Sequence, residues 1–133
     1  MRILSLALAA LGAVPGNGQV AAPPDVPRVE AVRLDLSNFR VAPRRLTLVR
    51  GRAYVIELVN RSASGHDFTA RGLLGSSRVS GAAAAGLAKG SIDVPAGSRV
   101  RIAIVPLKPG GFEFHCGHPL HAALGMRGRI DVL

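Results

Sequence analysis

Hydrophobic and polar residues alternate along most of the chain after residue 28. The clearest alternation lies in residues 29–36, 53–59 and 98–105, with an irregularity at Ala31–Val32 in the first of them. Shorter segments with the same character are residues 46–49, 91–94, 111–116 and 127–133. Period-two alternation is typical of half-buried strands. About seven or eight short strands separated by turn residues predict an all-β protein, an antiparallel sandwich or barrel.

Residues 71–90 interrupt this pattern. They are rich in alanine and leucine, which favour helix, and they show no strand alternation. Gly75, Gly81, Gly86 and Gly90 limit any helix to short pieces. The segment is therefore predicted to be an insertion with one or two helical turns, covering one edge of the sheet.

The first 22 residues predict a secretory signal peptide. Arg2 precedes an apolar run over residues 3–14, which small and polar residues follow. This run is too short for a comfortable membrane span, although an uncleaved anchor or a buried helix is the alternative. Cleavage is predicted after residue 18 or 22. Residues 23–28 then form a linker, residues 29–133 the domain, and the mature protein is periplasmic or secreted.

Chemically informative residues cluster near the C-terminus. The chain's one cysteine, Cys116, lies among His115, His118 and His121, and Met126 follows. A single cysteine cannot form an internal disulfide, and metal ligation is a good reason for a thiol to persist in an exported protein. Thiolate, imidazole and thioether donors together indicate copper.

The spacing of these donors suits a compact site. Four residues separate Cys116 from His121, and four more separate His121 from Met126. Pro119 and the glycines of this segment allow a tight loop that folds the three donors toward one point. If Cys116 points to the metal, strand alternation turns His115 away. The fourth donor must come from elsewhere, and His66 is the one histidine outside the cluster.

Two imidazoles, a thiolate and a weak axial thioether form the ligand set of a blue-copper site. With the Gly-His-Asp-Phe segment at residues 65–68 and the C-terminal loop, the chain resembles the cupredoxins. Its donor spacings look most like rusticyanin, and residues 119–126 are similar to azurin-type loops. The resemblance covers roughly residues 29–133. It implies a Greek-key sandwich that binds one copper ion through His66, Cys116, His121 and Met126.

Three positions depart from the family pattern. Asp67 stands where many relatives have Asn, and its negative charge is expected to lower the reduction potential. Leu120 replaces a frequent Gly. Either it forms an apolar patch around the exposed ring of His121, together with Pro119, Ala122 and Leu124, or it packs down into the loop. His118 is an additional imidazole that is interpreted as a bystander or a hydrogen-bonding neighbour, with a rival ligand or a weak second copper site as alternatives.

Net charge bears on the partners. The sequence has 17 basic and 8 acidic residues, a formal charge of +9. Such a surface suits an acidic protein or an anionic membrane, and nucleic acid is the least expected partner of an exported protein. The scattered arginines are also compatible with a merely well-solvated surface. An acidic redox protein such as a cytochrome or an oxidase is therefore predicted, with a monomeric carrier and no stable membrane insertion.

A one-electron carrier without enzymatic activity is the preferred function. Copper storage, delivery or resistance is the main alternative. A fragment of a multicopper oxidase or nitrite reductase is disfavoured, because four histidines in total cannot build a three-copper cluster within one chain. A non-metal adhesion role would leave the four donors unexplained, although each donor taken alone is more often a structural residue.

Overall fold

Two five-stranded β-sheets form the protein. The computed structural model describes residues 28–133, apart from the side chains of Ala82 and Ala83. Within them lie ten strands: β1 Glu30–Ser37, β2 Arg40–Ala42, β3 Arg45–Leu48, β4 Tyr54–Asn60, β5 His66–Thr69, β6 Ser77–Ser80, β7 Ser91–Val94, β8 Arg99–Pro106, β9 Gly110–His115 and β10 Arg127–Val132. A short helix α1, Arg71–Gly75, and a 3₁₀ helix, Ala82–Gly86, complete the described elements.

The strand order is β2-β1-β4-β8-β6 in the first sheet and β3-β10-β9-β5-β7 in the second. Most neighbours are antiparallel, but β1 pairs with β4 and β3 pairs with β10 in parallel. The predicted sandwich is confirmed. Side-chain alternation is the same in both kinds of pairing, so the sequence could not reveal the two parallel contacts.

One hydrophobic cluster draws on both sheets. Alternate residues of β1, β4 and β8 and the inward side chains of β5, β9 and β10 have at most a few per cent of their surface exposed. They include Leu34, Leu36, Ile56, Leu58, Phe68, Ile102, Ile104, Phe114, Ile130 and Val132. The arginines that alternate with them in β8 are exposed, as predicted. This packed core supplies the rigid base beneath the C-terminal loop.

The segment that interrupts the alternation contains the helical turns predicted for it, and also strand β6. This strand pairs with β8 at the edge of the first sheet. Its four residues include a single apolar side chain, Val79, so no alternation was readable. The segment ends at Gly90, with φ +64°, where an added Cβ would lie 2.5 Å from Arg71 Cγ. Glycine is therefore required where the chain closes onto α1.

The predicted signal peptide, its cleavage sites and linker residues 23–27 lie outside the described residues and remain predictions. Between residues 28 and 133, no helix is long and apolar enough to cross a membrane.

Candidate metal centre

His66 opens β5, immediately after a polar loop that leaves β4. The β4 strand ends at Asn60, and the chain passes through Ser62 before it re-enters the second sheet. The His66 side chain is buried, with 1% of its surface exposed. Sheet pairing with Val94 of β7 holds its backbone in place. The imidazole therefore has a fixed position at one end of the sandwich.

The other three predicted donors lie on the loop between β9 and β10. Backbone hydrogen bonds close this loop: the Cys116 amide donates to the Met126 carbonyl (2.9 Å), and the Met126 amide donates to the His121 carbonyl (2.9 Å). Cys116 and Met126 are buried, with 2% and 0% of their surfaces exposed. The tight loop expected from its glycines and proline thus brings the three residues together.

Three donor atoms form a triangle. Cys116 Sγ lies 3.9 Å from His66 Nδ1 and 3.4 Å from His121 Nδ1, and the two nitrogens are 3.3 Å apart. A metal in a trigonal plane, about 2.0 Å from nitrogen and about 2.3 Å from sulfur, would need edges of about 3.5 to 3.7 Å. The spacing of these side chains therefore fits one ion of that size, and the donor set fits copper.

Asp67 braces the thiol and the residue after it. Its backbone amide lies 3.5 Å from Cys116 Sγ, on the donor side of a long hydrogen bond. Its carboxylate Oδ1 accepts from the Gly117 amide (2.7 Å) and from Thr69 Oγ1 (2.7 Å). A Cβ on Gly117 would lie 3.1 Å from the carboxylate, so this contact favours glycine. Asp67 therefore contacts both the thiol, through its backbone amide, and the residue that follows it, through its carboxylate.

Burial lowers the pKa of His66, and the nearby rings of His121 and His118 lower it further. A lowered pKa keeps the imidazole neutral near pH 7. Its Nδ1 lone pair is then available to a metal, because metal ligation requires the unprotonated nitrogen.

His118 and His115 have different surroundings. His118 stacks on the His121 ring, with centroids 5.2 Å apart and planes at 21°, and its Nε2 lies 3.7 Å from Asp67 Oδ2. Its imidazole, with Asp67 and Cys116, forms a second cluster of possible donors that shares the thiol. His115 is exposed and belongs to neither donor cluster found among the described residues. The alternative of a weak site built from His115 and His118 therefore gains no support.

An apolar surface surrounds the accessible edge of His121. Leu120 and Leu124 are 74% and 56% exposed, so Leu120 does not pack into the loop. Phe39, 48% exposed, meets the His121 ring edge-on at 5.5 Å. Phe39 and Leu120 have φ values of +60° and +65°, an unusual conformation for non-glycine residues. We call Phe39, Leu120 and Leu124 the apolar rim.

The sequence pattern gave no sign that Phe39 borders the site. Phe39 lies in the turn between β1 and β2. Its positive φ value is a property of the folded backbone.

Comparison with known proteins decides the family. The family model described as a cupredoxin-like domain matches residues 3–130. The chain belongs to the cupredoxin family. No curated protein matches this cupredoxin.

Solved structures share its fold. Auracyanin A, a "blue" copper protein from Chloroflexus aurantiacus, is 19% identical, with a TM-score of 0.58 over 80% of this chain and 100% of its own. Auracyanin from Roseiflexus castenholzii is 18% identical, with a TM-score of 0.58 over 77% and 96% of the two chains. A multicopper oxidase from Campylobacter jejuni is 18% identical, with a TM-score of 0.60 over 86% of this chain but 32% of the oxidase. At these identities the likeness establishes the fold alone.

Copper is the cofactor of this cupredoxin. The family binds copper, and the buried thiol with two imidazole nitrogens facing it is a donor set that suits the metal.

Replacing Asp67 by Asn is expected to raise the reduction potential. Asn is close to Asp in shape, and its Oδ1 can still accept from Gly117 and Thr69, so the substitution mainly removes a negative charge beside the thiol. That charge favours the more positive oxidation state of the metal. We expect an increase on the order of 60 mV, a tenfold change in a one-electron equilibrium. Potentiometric titration of both proteins measures it, and an equal or lower potential in the variant would reject the charge effect.

Proposed function

We propose that this cupredoxin is an exported one-electron carrier with a single type-1-like copper site. His66, Cys116, His121 and Met126 would hold the copper ion. The observation that carries the proposal is the triangle of two Nδ1 atoms and one thiol, with edges of 3.3 to 3.9 Å, at the end of a rigid sandwich. Export rests on the signal peptide predicted in residues 1–22.

When bound, copper supplies a couple between its two oxidation states. The chain's contribution is to hold donors with opposing preferences: thiolate and thioether favour copper(I), whereas imidazole suits both states. Sheet pairing fixes His66, and backbone hydrogen bonds fix Cys116 and Met126. Because these three side chains are buried, water is kept from the thiol and thioether. Rigid donors need little rearrangement when an electron arrives or leaves.

Electrons would enter and leave through the partly exposed ring of His121. The apolar rim provides a surface from which a bound partner would exclude water. A groove of about 600 Å³ reaches Ala122 of the same loop, and its charged lining consists of Arg44, Arg45, Arg127 and Arg129 together with a single carboxylate, Glu113. An acidic redox partner, such as a cytochrome or an oxidase, would meet this groove, and association would weaken as salt rises. A monomeric carrier would leave both surfaces free.

We also propose that the chain catalyses no reaction on a substrate. Four histidines are present in the whole sequence, too few for a three-copper cluster beside the blue-copper ligands. The oxidase that shares the fold is about three times as long as the region it shares, since this chain covers 32% of it.

Copper handling remains a second candidate because of one observation. The exposed imidazole of His118 and the Asp67 carboxylate form a donor cluster that shares Cys116 with the first. Such a cluster offers incoming or departing copper a second set of ligands at the edge of the site.

Loading the mature chain with copper(II) separates the two functions. A carrier is expected to show the intense visible absorption of a thiolate–copper(II) bond, to bleach reversibly on reduction and to retain its copper against a copper(I) chelator. A weakly absorbing protein that loses copper rapidly to the chelator would favour handling. A protein that binds no copper would refute both.

A further inference from the structure

We propose that Asn60 and Ser62 form a positioning chain for His66, which fixes both its tautomer and its ring orientation. The inference rests on the copper site proposed above and adds two residues to it. Neither residue is a donor to the metal, and neither is distinguished by the sequence from the other polar residues of the loop.

The chain consists of short, continuous contacts. His66 Nε2 lies 3.0 Å from Ser62 Oγ, and Ser62 Oγ lies 2.7 Å from Asn60 Oδ1. Asn60 Oδ1 also accepts from the Ser62 backbone amide at 3.0 Å. The Asn60 side chain is buried, with 1% of the residue exposed. Ser62 is half-buried. Hydrogen bonds that are partly removed from water are electrostatically stronger than exposed ones.

The position of each proton follows from the surrounding acceptors. Asn60 Nδ2 faces the carbonyls of Ser64, Val94 and Pro95, so the amide is oriented with Oδ1 toward Ser62. Besides His66, Ser62 Oγ has two near partners, Asn60 Oδ1 and the Ser64 carbonyl, and both accept. The single hydroxyl proton of Ser62 is therefore donated to one of these two acceptors. Ser62 Oγ can therefore only accept from His66.

His66 must then carry its proton on Nε2. This leaves Nδ1 unprotonated, and Nδ1 is the nitrogen that faces Cys116 Sγ. A hydrogen bond from the distal N–H also raises the basicity of a ligating imidazole and fixes its plane. The same chain thus prepares the metal-facing nitrogen and holds the ring.

Asn60 also ties His66 to both sheets. It is the last residue of β4 in the first sheet, and its amide donates to Val94 of β7 in the second. The position of the imidazole is therefore fixed by contacts with both sheets and not by its own loop alone.

Replacing Ser62 by Ala tests the proposal. The variant leaves the four proposed ligands in place, so we expect its visible thiolate–copper(II) absorption to persist. Copper(II) affinity, measured by competition with a chelator, is expected to fall about 10- to 100-fold. The reduction potential is expected to rise, because a less basic imidazole stabilises copper(II) less.

Matched variants distinguish loss of the Ser62 hydroxyl from a general disturbance of the fold. Ser64→Ala removes a neighbouring hydroxyl but keeps the carbonyl that Asn60 uses, so it should behave as wild type. Ser62→Thr retains the hydroxyl and should restore affinity and potential. Ser62→Val has nearly the shape of Thr without the hydroxyl, and it replaces the Ala variant if that protein is unstable.

A merely structural role for Ser62 predicts a different result. If Ser62→Ala or Ser62→Val has the affinity and potential of Ser64→Ala, the positioning chain is refuted while the copper site stands. If wild-type protein itself lacks the thiolate–copper absorption, the proposed function fails first.

Discussion

Replacing Cys116 by Ser is expected to abolish the intense visible absorption of the copper-loaded protein. The sequence contains one cysteine, so its thiolate is the only source of that band. A serine hydroxyl stays protonated near neutral pH and is a poor, hard ligand for a metal that prefers soft donors. His66 and His121 would retain weaker copper(II) binding. Absorption spectra and copper content of both proteins measure the effect.

His115→Ala is the matched control for this substitution. His115 precedes Cys116 directly but is exposed and lies outside the donor clusters of the described residues. Its variant should retain the spectrum. Survival of the band in the Cys116→Ser protein would refute the site assignment.

Replacing Phe114 by Ala is expected to lower the unfolding free energy by about 3 to 5 kcal/mol. Phe114 is 1% exposed and packs on Phe68 with ring centroids 5.3 Å apart. The two rings join β9, which leads into Cys116, to β5, which begins with His66. The cavity should therefore loosen both strands that support the site. Chemical denaturation of the metal-free proteins measures the loss without stabilisation by bound copper.

Phe112→Ala provides the comparison. Phe112 lies two residues earlier on β9 and is only partly buried, so its truncation should cost clearly less. Equal losses of unfolding free energy in the two variants would show that the contact between Phe68 and Phe114 does not stabilise this region more than other contacts of β9 do.

Much of the candidate site was predictable because its chemistry is local in the sequence. Cys116, His121 and Met126 lie on one short loop, and their donor types already indicate copper. His66 followed because it is the one histidine outside the C-terminal cluster of histidines. The strands were predictable for a similar reason, since alternation reports directly which side chains face a core.

Other features depend on contacts between distant segments. Strand β6 has too few apolar residues to be recognised in the sequence. It forms because its backbone pairs with the free edge of β8. Phe39 reaches His121 from the turn between β1 and β2, across about eighty residues of sequence. The orientation of the Asn60 amide, and through it the role of Ser62, depends on the carbonyls of Val94 and Pro95, which no local pattern could reveal.

The sequence alone thus determined the all-β scaffold and the order and spacing of the candidate donors, because these follow from residue chemistry and from the two-residue period of strands. Only the tertiary structure decided the donor distances, the brace of Asp67 on Gly117, the exposure of Leu120 and the hydrogen bonds behind His66. These features need two remote segments at a fixed separation, and the packing of both sheets sets that separation.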